Sequence, residues 1–233
     1  MPELPPTSLL VETRHSLHRV AEHVLSAALK TATGHIALQP APGGFRTPEL
    51  PDGSVLAVEG TDLTVTTGGG VRRAPLTTVA HAAHLAGTVA GFPWTKHPPA
   101  TPFEPDARLT VDAASAAVLA GWFALGSEAL AALAAVLEAD SPGEAHIYPE
   151  HFDLGMTAAE VNYGVSPGDD AIELPYLYVG PHEGPPGRDD FWNASFGAYR
   201  TIEDVDSPDE ALAFFRAGRD LIHQARTHTR SST

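Results

Sequence analysis

Apolar and polar positions follow two rhythms along this chain. Over residues 8–32 apolar side chains recur at Leu10, Leu17, Val20, Val24 and Leu29, a helical spacing. Thr7 or Ser8 can cap its start, and Gly34 ends it. From His35 to Pro75 the rhythm shortens. Runs rich in β-branched residues at 36–39, 55–59, 63–67 and 71–74 lie between Gly, Pro and Asp. Gly60-Thr61-Asp62 and Gly68-Gly69-Gly70 read as hairpin turns, so the segment predicts an antiparallel meander.

A helix is expected near 78–90, followed by a Pro-rich connector over 92–105. The best place for an internal boundary is 92–108, but neither flank shows a self-sufficient core, and the chain reads as a single domain over 1–233. Thr110 can cap a long helix over 111–138, whose stripe is Leu119, Trp122, Gly126, Leu130, Leu133 and Leu137. Strand rhythm returns at 145–157, 161–165, 174–179 and 196–201. Ser207-Pro208-Asp209-Glu210 is a capping box that opens a last helix over 207–226. The predicted fold class is α+β, with antiparallel sheet packed against about four helices.

Composition narrows the function classes. At 233 residues and 43% apolar content the chain can bury a real core. It has no cysteine, which excludes disulfides, thiolate metal sites and cysteine nucleophiles. The excess of 29 acidic over 14 basic residues gives a net charge of −15, which repels phosphate backbones and anionic membrane surfaces. No nucleic-acid or membrane partner is therefore expected. Met1-Pro2-Glu3-Leu4-Pro5-Pro6 lacks the marks of a signal peptide. The apolar stretch from Ala113 to Leu137 is broken by Glu128 and has no basic anchors, so it reads as a core helix and not a membrane span. A soluble cytoplasmic protein is expected, and the abundance of Ala, Gly and Pro suits a GC-rich bacterial genome.

The common nucleotide-binding, nucleophile-elbow and zinc-protease motifs are absent. Gly68–Gly70 is followed by Val71-Arg72-Arg73 and not by a helix, so it reads as a turn and not a phosphate cradle. The densest polar run is His146-Ile147-Tyr148-Pro149-Glu150-His151-Phe152-Asp153. On a strand, His151 and Asp153 project to one face, the His-x-Asp half of a non-haem iron site that His182 or His223 could complete. A solvated strand face is the plainer alternative. Parity also puts His146 and Glu150 on the side of Phe152, Leu154 and Met156, so either they are buried with partners or Pro149 marks a bulge.

His15, His18 and Glu22 share one face of the first helix, with His23 one step round. They suit a divalent metal or simply a polar outer face. His81 and His84 pair at i, i+3 with the same two readings. Ser166-Pro167-Gly168-Asp169-Asp170 suits a type II turn at a pocket rim, and Tyr176 and Tyr178 face one way on the next strand. With Trp192, Asn162 and Asn193 these residues fit a small-molecule pocket or the rim of a homodimer interface.

Several short motifs resemble a family of bacterial domains of unknown function. They are Leu17-His18, Ile36-Ala37-Leu38, His146 with Phe152-Asp153-Leu154, the 163–168 turn, and Tyr176-Leu177-Tyr178 before a proline. The order matches over most of the chain. The stretch 41–48 departs, having no tryptophan where the family is tryptophan-rich, and the family strand does not need a histidine at His151. The resemblance implies His18, His146 and Asp153 as site residues and supplies no reaction.

Two function classes follow. In the first, the protein is a small-molecule enzyme with its site between the first helix and the 146–153 strand. His18 and His146 are acid/base groups or metal ligands, and Asp153 is a ligand or orients a histidine. The metal would be Zn, Fe or Mn, with His151 a further ligand. In the second, it is a non-catalytic binding or homo-oligomeric assembly protein, with Tyr176, Tyr178 and Trp192 as its recognition surface; Asp169, on the rim loop, is a further ligand-binding candidate.

Overall fold

The computed structural model describes residues 4–91, 99–187 and 190–231. The amino-terminal helical rhythm produces α1 (Thr7–Val20) and α2 (Ala27–Thr33), joined without a break through a π-helical turn at Ala21–Ser26. Pro6 holds the N-cap position in place of Thr7 or Ser8, and Gly34 closes the rod in a left-handed conformation. Helix α3 (Val79–Ala86) is capped by Thr78 and stops at Gly87, short of the expected end. Helix α4 (Ala113–Val136) takes its cap from Asp112, whose carboxylate accepts the Ser115 N–H. Thr110 does not cap it; its N–H donates to Ser16 Oγ and ties the helix start to α1. At α5 (Pro208–Ser231) Ser207 Oγ accepts from Glu210 N, while the Glu210 carboxylate reaches back to Asp206 N.

The strands form two five-stranded antiparallel sheets, each a simple meander. The first comprises β1 (Gln39–Ala41), β2 (Gly44–Arg46), β3 (Val55–Glu59), β4 (Asp62–Thr67) and β5 (Gly70–Pro75). The second comprises β6 (His146–Tyr148), β7 (Asp153–Ala158), β8 (Val161–Ser166), β9 (Tyr176–Pro181) and β10 (Ala198–Thr201), in the spatial order β10-β9-β8-β7-β6. The α+β expectation holds. Leu38 and Ile147 exchange backbone hydrogen bonds of 2.9 and 2.8 Å, which link the β1 and β6 edges of the two sheets.

Helix α4 lies against both sheets. Its stripe is buried as its spacing requires, with Trp122, Leu130 and Leu133 at 0% exposure. A side chain at Gly126 would strike Val165, so the glycine sets how closely α4 approaches β8. By composition this helix could cross a membrane, yet 56% of its most apolar window is buried inside the protein. Of the connector, 92–98 lies outside the described residues. Beyond it, Pro105 O accepts the Ala80 N–H and Arg108 bridges Thr78, which fastens the segment to α3.

Helices α4 and α5 cover one face of the second sheet, through Val165 on Gly126, Val179 on Gly218 and Tyr163 edge-on to Phe215. The opposite face carries Asp153, Gly155, Gly164, Tyr176 and Tyr178, and it looks into a cavity.

Candidate functional site

A cavity of about 1000 Å³ lies between that sheet face and α1. Arg14, His15, His18 and Arg19 line it from the helix, Glu150, His151 and Asp153 from the β6–β7 hairpin, and Ser166 with Gly168–Ala171 from the loop after β8. Tyr176 and Tyr178 stand on its floor, and Ala100, Thr101 and Pro102 cross one side.

The floor is shaped by glycine. Gly155, Gly164 and Tyr178 are opposite one another on three adjacent strands. A Cβ at Gly155 would lie 2.6 Å from the Tyr178 hydroxyl, and one at Gly164 would lie 2.5 Å from it. With no side chains in its way, the Tyr178 ring lies across both glycines, and its hydroxyl donates a short hydrogen bond to Asp153 Oδ2. Asp153 Oδ1 is buried and has no partner. Burial pushes the Asp153 carboxyl above the usual carboxylate range, against the opposing effect of the Tyr178 hydrogen bond. The Tyr178 phenol is raised for the matching reasons, burial first and then the neighbouring Asp153 charge.

Asp153 is aimed by the hairpin before it. The expected strand over 145–157 is interrupted: β6 ends at Tyr148, residues 149–152 turn, and β7 begins at Asp153. This removes the parity conflict, because Glu150 and His151 belong to the turn and not to a strand. Phe152 takes a left-handed φ of 53°, unusual for so bulky a residue. It is held there by aromatic contacts, stacked on His18 at 5.2 Å and edge-on to Phe45 and Phe123.

The helix wall corrects the outer-face reading of α1. His18 is largely buried, and Nε2 lies 2.7 Å from Pro149 O, so that nitrogen carries the proton. Burial holds its pKa below the ordinary histidine value, only partly offset by Glu22. Glu22 is fully buried on the π-helical turn and accepts from Ala100 N and Thr101 N, both at 2.8 Å, and from Thr101 Oγ1. His23 Nε2 donates to Thr101 O at 3.1 Å. Two adjacent side chains of the π-helical turn thus pin the 100–102 segment along the cavity.

Arg14 is the largest departure from expectation. Nothing in the local pattern singles it out, yet its side chain is buried against the loop after β8. Nη1 donates to Glu173 O at 3.2 Å, and Nη2 lies 3.0 Å from His15 Nε2 and 3.6 Å from Asp170. The chain bends at Pro167, and Gly168 takes the positive φ, 98°, that the predicted type II turn requires at that position. Asp169 accepts from Ala171 N, Ile172 N and the Tyr176 hydroxyl. Burial would raise its pKa, but these three bonds together with Arg14 bring it below the usual range.

Of the residues expected at a site, His18, His151, Asp153, Asp169, Tyr176 and Tyr178 line this cavity and two do not. His146 sits on the edge strand, 3.6 Å from Glu144 and edge-on to Tyr148, so it does not join His18 and Asp153 around the cavity. Trp192 packs edge-on against Phe191, away from the floor. His182 reaches the far end and bonds Asn162, whereas His223 stands on α5, across the sheet. Among the described residues, no three His, Asp or Glu side chains are grouped to hold a metal ion. His151 lies in the turn, and the strand geometry that motivated the iron site is not present.

No family model matches the chain, and no curated protein or solved structure matches it either.

Proposed function

We propose that this chain is a small-molecule enzyme that uses Asp153, coupled to Tyr178, to move a proton on a ligand held in the cavity. One observation carries the reading: a carboxyl with a buried, unpartnered oxygen and a raised pKa stands on the floor of a cavity of ligand size. A carboxyl whose pKa is raised above its ordinary range is better matched to general acid or base work than an ordinary aspartate. Tyr178 keeps its own proton and orients the carboxyl. His18, with Nε2–H committed to Pro149 O, positions the hairpin. The placement of His146 gives no support to a metal-assisted version.

A non-catalytic binding protein is the second reading. The cluster of Tyr176, Tyr199 and Phe196, with ring centroids 5.9 to 6.5 Å apart, favours it by providing an aromatic wall suited to recognition. Thermal-shift screening of small metabolites on the wild type, Asp153→Asn and Tyr178→Phe tests both. Compounds that stabilise the wild type and fail on both variants are expected, and mass spectrometry of each hit then reports turnover. Hits that bind without conversion favour the second reading. Hits indifferent to both substitutions would place the site elsewhere.

A further inference from the structure

The polar groups around the cavity also restrict the charge of its ligand. Four carboxyl groups line it, Glu150, Asp153, Asp169 and Asp170, together with Arg14, Arg19 and the imidazoles of His15, His18, His151 and His182, of which His151 acts on Asp153 from the 149–152 turn. Neither arginine is free for an anion. Arg14 lies 3.6 Å from Asp170, and Arg19 is bonded to Glu104 at 3.0 Å. An anion approaching Arg14 also meets Asp169 and Asp170, and like charges at such a distance are repulsive. On the hairpin side, Glu150 Oε2 and Asp153 Oδ1 are both buried without a hydrogen-bond partner, three residues apart in sequence, and Asp153 Oδ1 becomes an acceptor when its carboxyl ionises. A buried acceptor left unpaired is costly, and a donor brought by a ligand relieves that cost. The adjacent wall is aromatic, with Tyr176, Tyr178 and Phe196, whose ring faces attract cations.

We propose that the cavity takes a small organic cation, an alkylamine or a guanidinium compound, with its charged head between Glu150 and Asp153 and its stem along Tyr178 and Tyr176. The proposal rests on reading this cavity as the ligand site. It goes further by fixing the ligand's class. The cation favours the ionised form of Asp153, so binding releases a proton and tightens as pH rises through the range in which that carboxyl titrates. Arg14 then acts on the 168–173 loop, holding the Asp169 end of the cavity in place, and does not contact the ligand.

Isothermal titration of the full chain with agmatine, xylitol and succinate separates the ligand classes. Agmatine is expected to bind, with affinity rising with pH. Glu150→Gln and Asp153→Asn should each weaken it by about tenfold or more. Asp209→Asn, on the exposed first turn of α5, should leave it unchanged, which separates the cavity from general attraction to an acidic protein. Circular dichroism of each variant confirms folding, and either cavity variant alone suffices if the other misfolds. Agmatine binding that ignores both cavity substitutions overturns the proposal. Binding of xylitol or succinate in its place, lost in Asp153→Asn, overturns the cation class and keeps the cavity as the site. Asp153-independent binding of all three compounds, or none at all, counts against both.

Discussion

At the scale of single residues, Asp153 sets stability against function. Its folded-state pKa lies above that of the unfolded chain, so between the two values the folded state holds a proton that the unfolded state has released. This contribution to stability is full below the ordinary carboxylate pKa and is lost as pH rises through the raised one. Asp153→Asn should therefore raise the melting temperature at pH 8 more than at pH 4, as scanning calorimetry at the two pH values would show. An equal shift at both would mean that the carboxyl titrates normally. Gly164 is the complementary case. Adding a methyl group there drives into the Tyr178 ring, and Gly164→Ala should cost about 1–3 kcal/mol in chemical denaturation. It should also displace the Tyr178 hydroxyl from Asp153. An unchanged tyrosine environment by near-ultraviolet spectroscopy would count against this account of the floor.

At the scale of elements, the helix wall and the segment it pins depend on Glu22. Its carboxylate satisfies two backbone N–H groups and one hydroxyl from Ala100 and Thr101. Glu22→Ala should leave them unpaired, at about 1–3 kcal/mol for each buried donor. Limited proteolysis should then cut faster around 99–102, and protection equal to that of the wild type would show that the pin is dispensable. The rhythm of the chain made most elements legible, because amphipathic spacing is local: the α4 stripe and the meander strands could be read directly. What was not legible depends on contacts between distant residues. The tight turn over 149–152 exists because Phe152 finds Phe45, Phe123 and His18, which no local pattern announces. Ala159 and Glu160 both take positive φ in the β7–β8 turn without the Gly or Asn that would have marked it. Nothing local marks Arg14, and Glu22 reads only as part of a metal-binding or polar outer face, because the partners of both are far away in sequence. Asp153 was named from its neighbours, and its pairing with Tyr178 needed the glycines opposite.

At the scale of the whole molecule, the two sheets share α4, one contiguous apolar cluster and the Leu38–Ile147 link. Neither sheet can lose that helix without exposing its own buried face. Thermal unfolding should accordingly be a single cooperative transition, with equal calorimetric and van't Hoff enthalpies. Two resolved transitions would show that the sheets are separable units despite the shared helix.

The π-helical turn at Ala21–Ser26 has a consequence for how this chain tolerates changes in length. Such a turn accommodates a surplus residue in an α-helix, and each residue of an α-helix advances the face by about 100°. The surplus keeps Arg14 and His18 on the cavity while Leu25 and Leu29 remain in the core. Deleting one residue from this turn would remove the surplus and let the rod relax to an ordinary helix, with the segments on either side still in phase. The rod is thus tolerant of a one-residue loss at this turn, whereas the same loss between Arg14 and Val20 would rotate the cavity wall by about 100° relative to the core residues that follow.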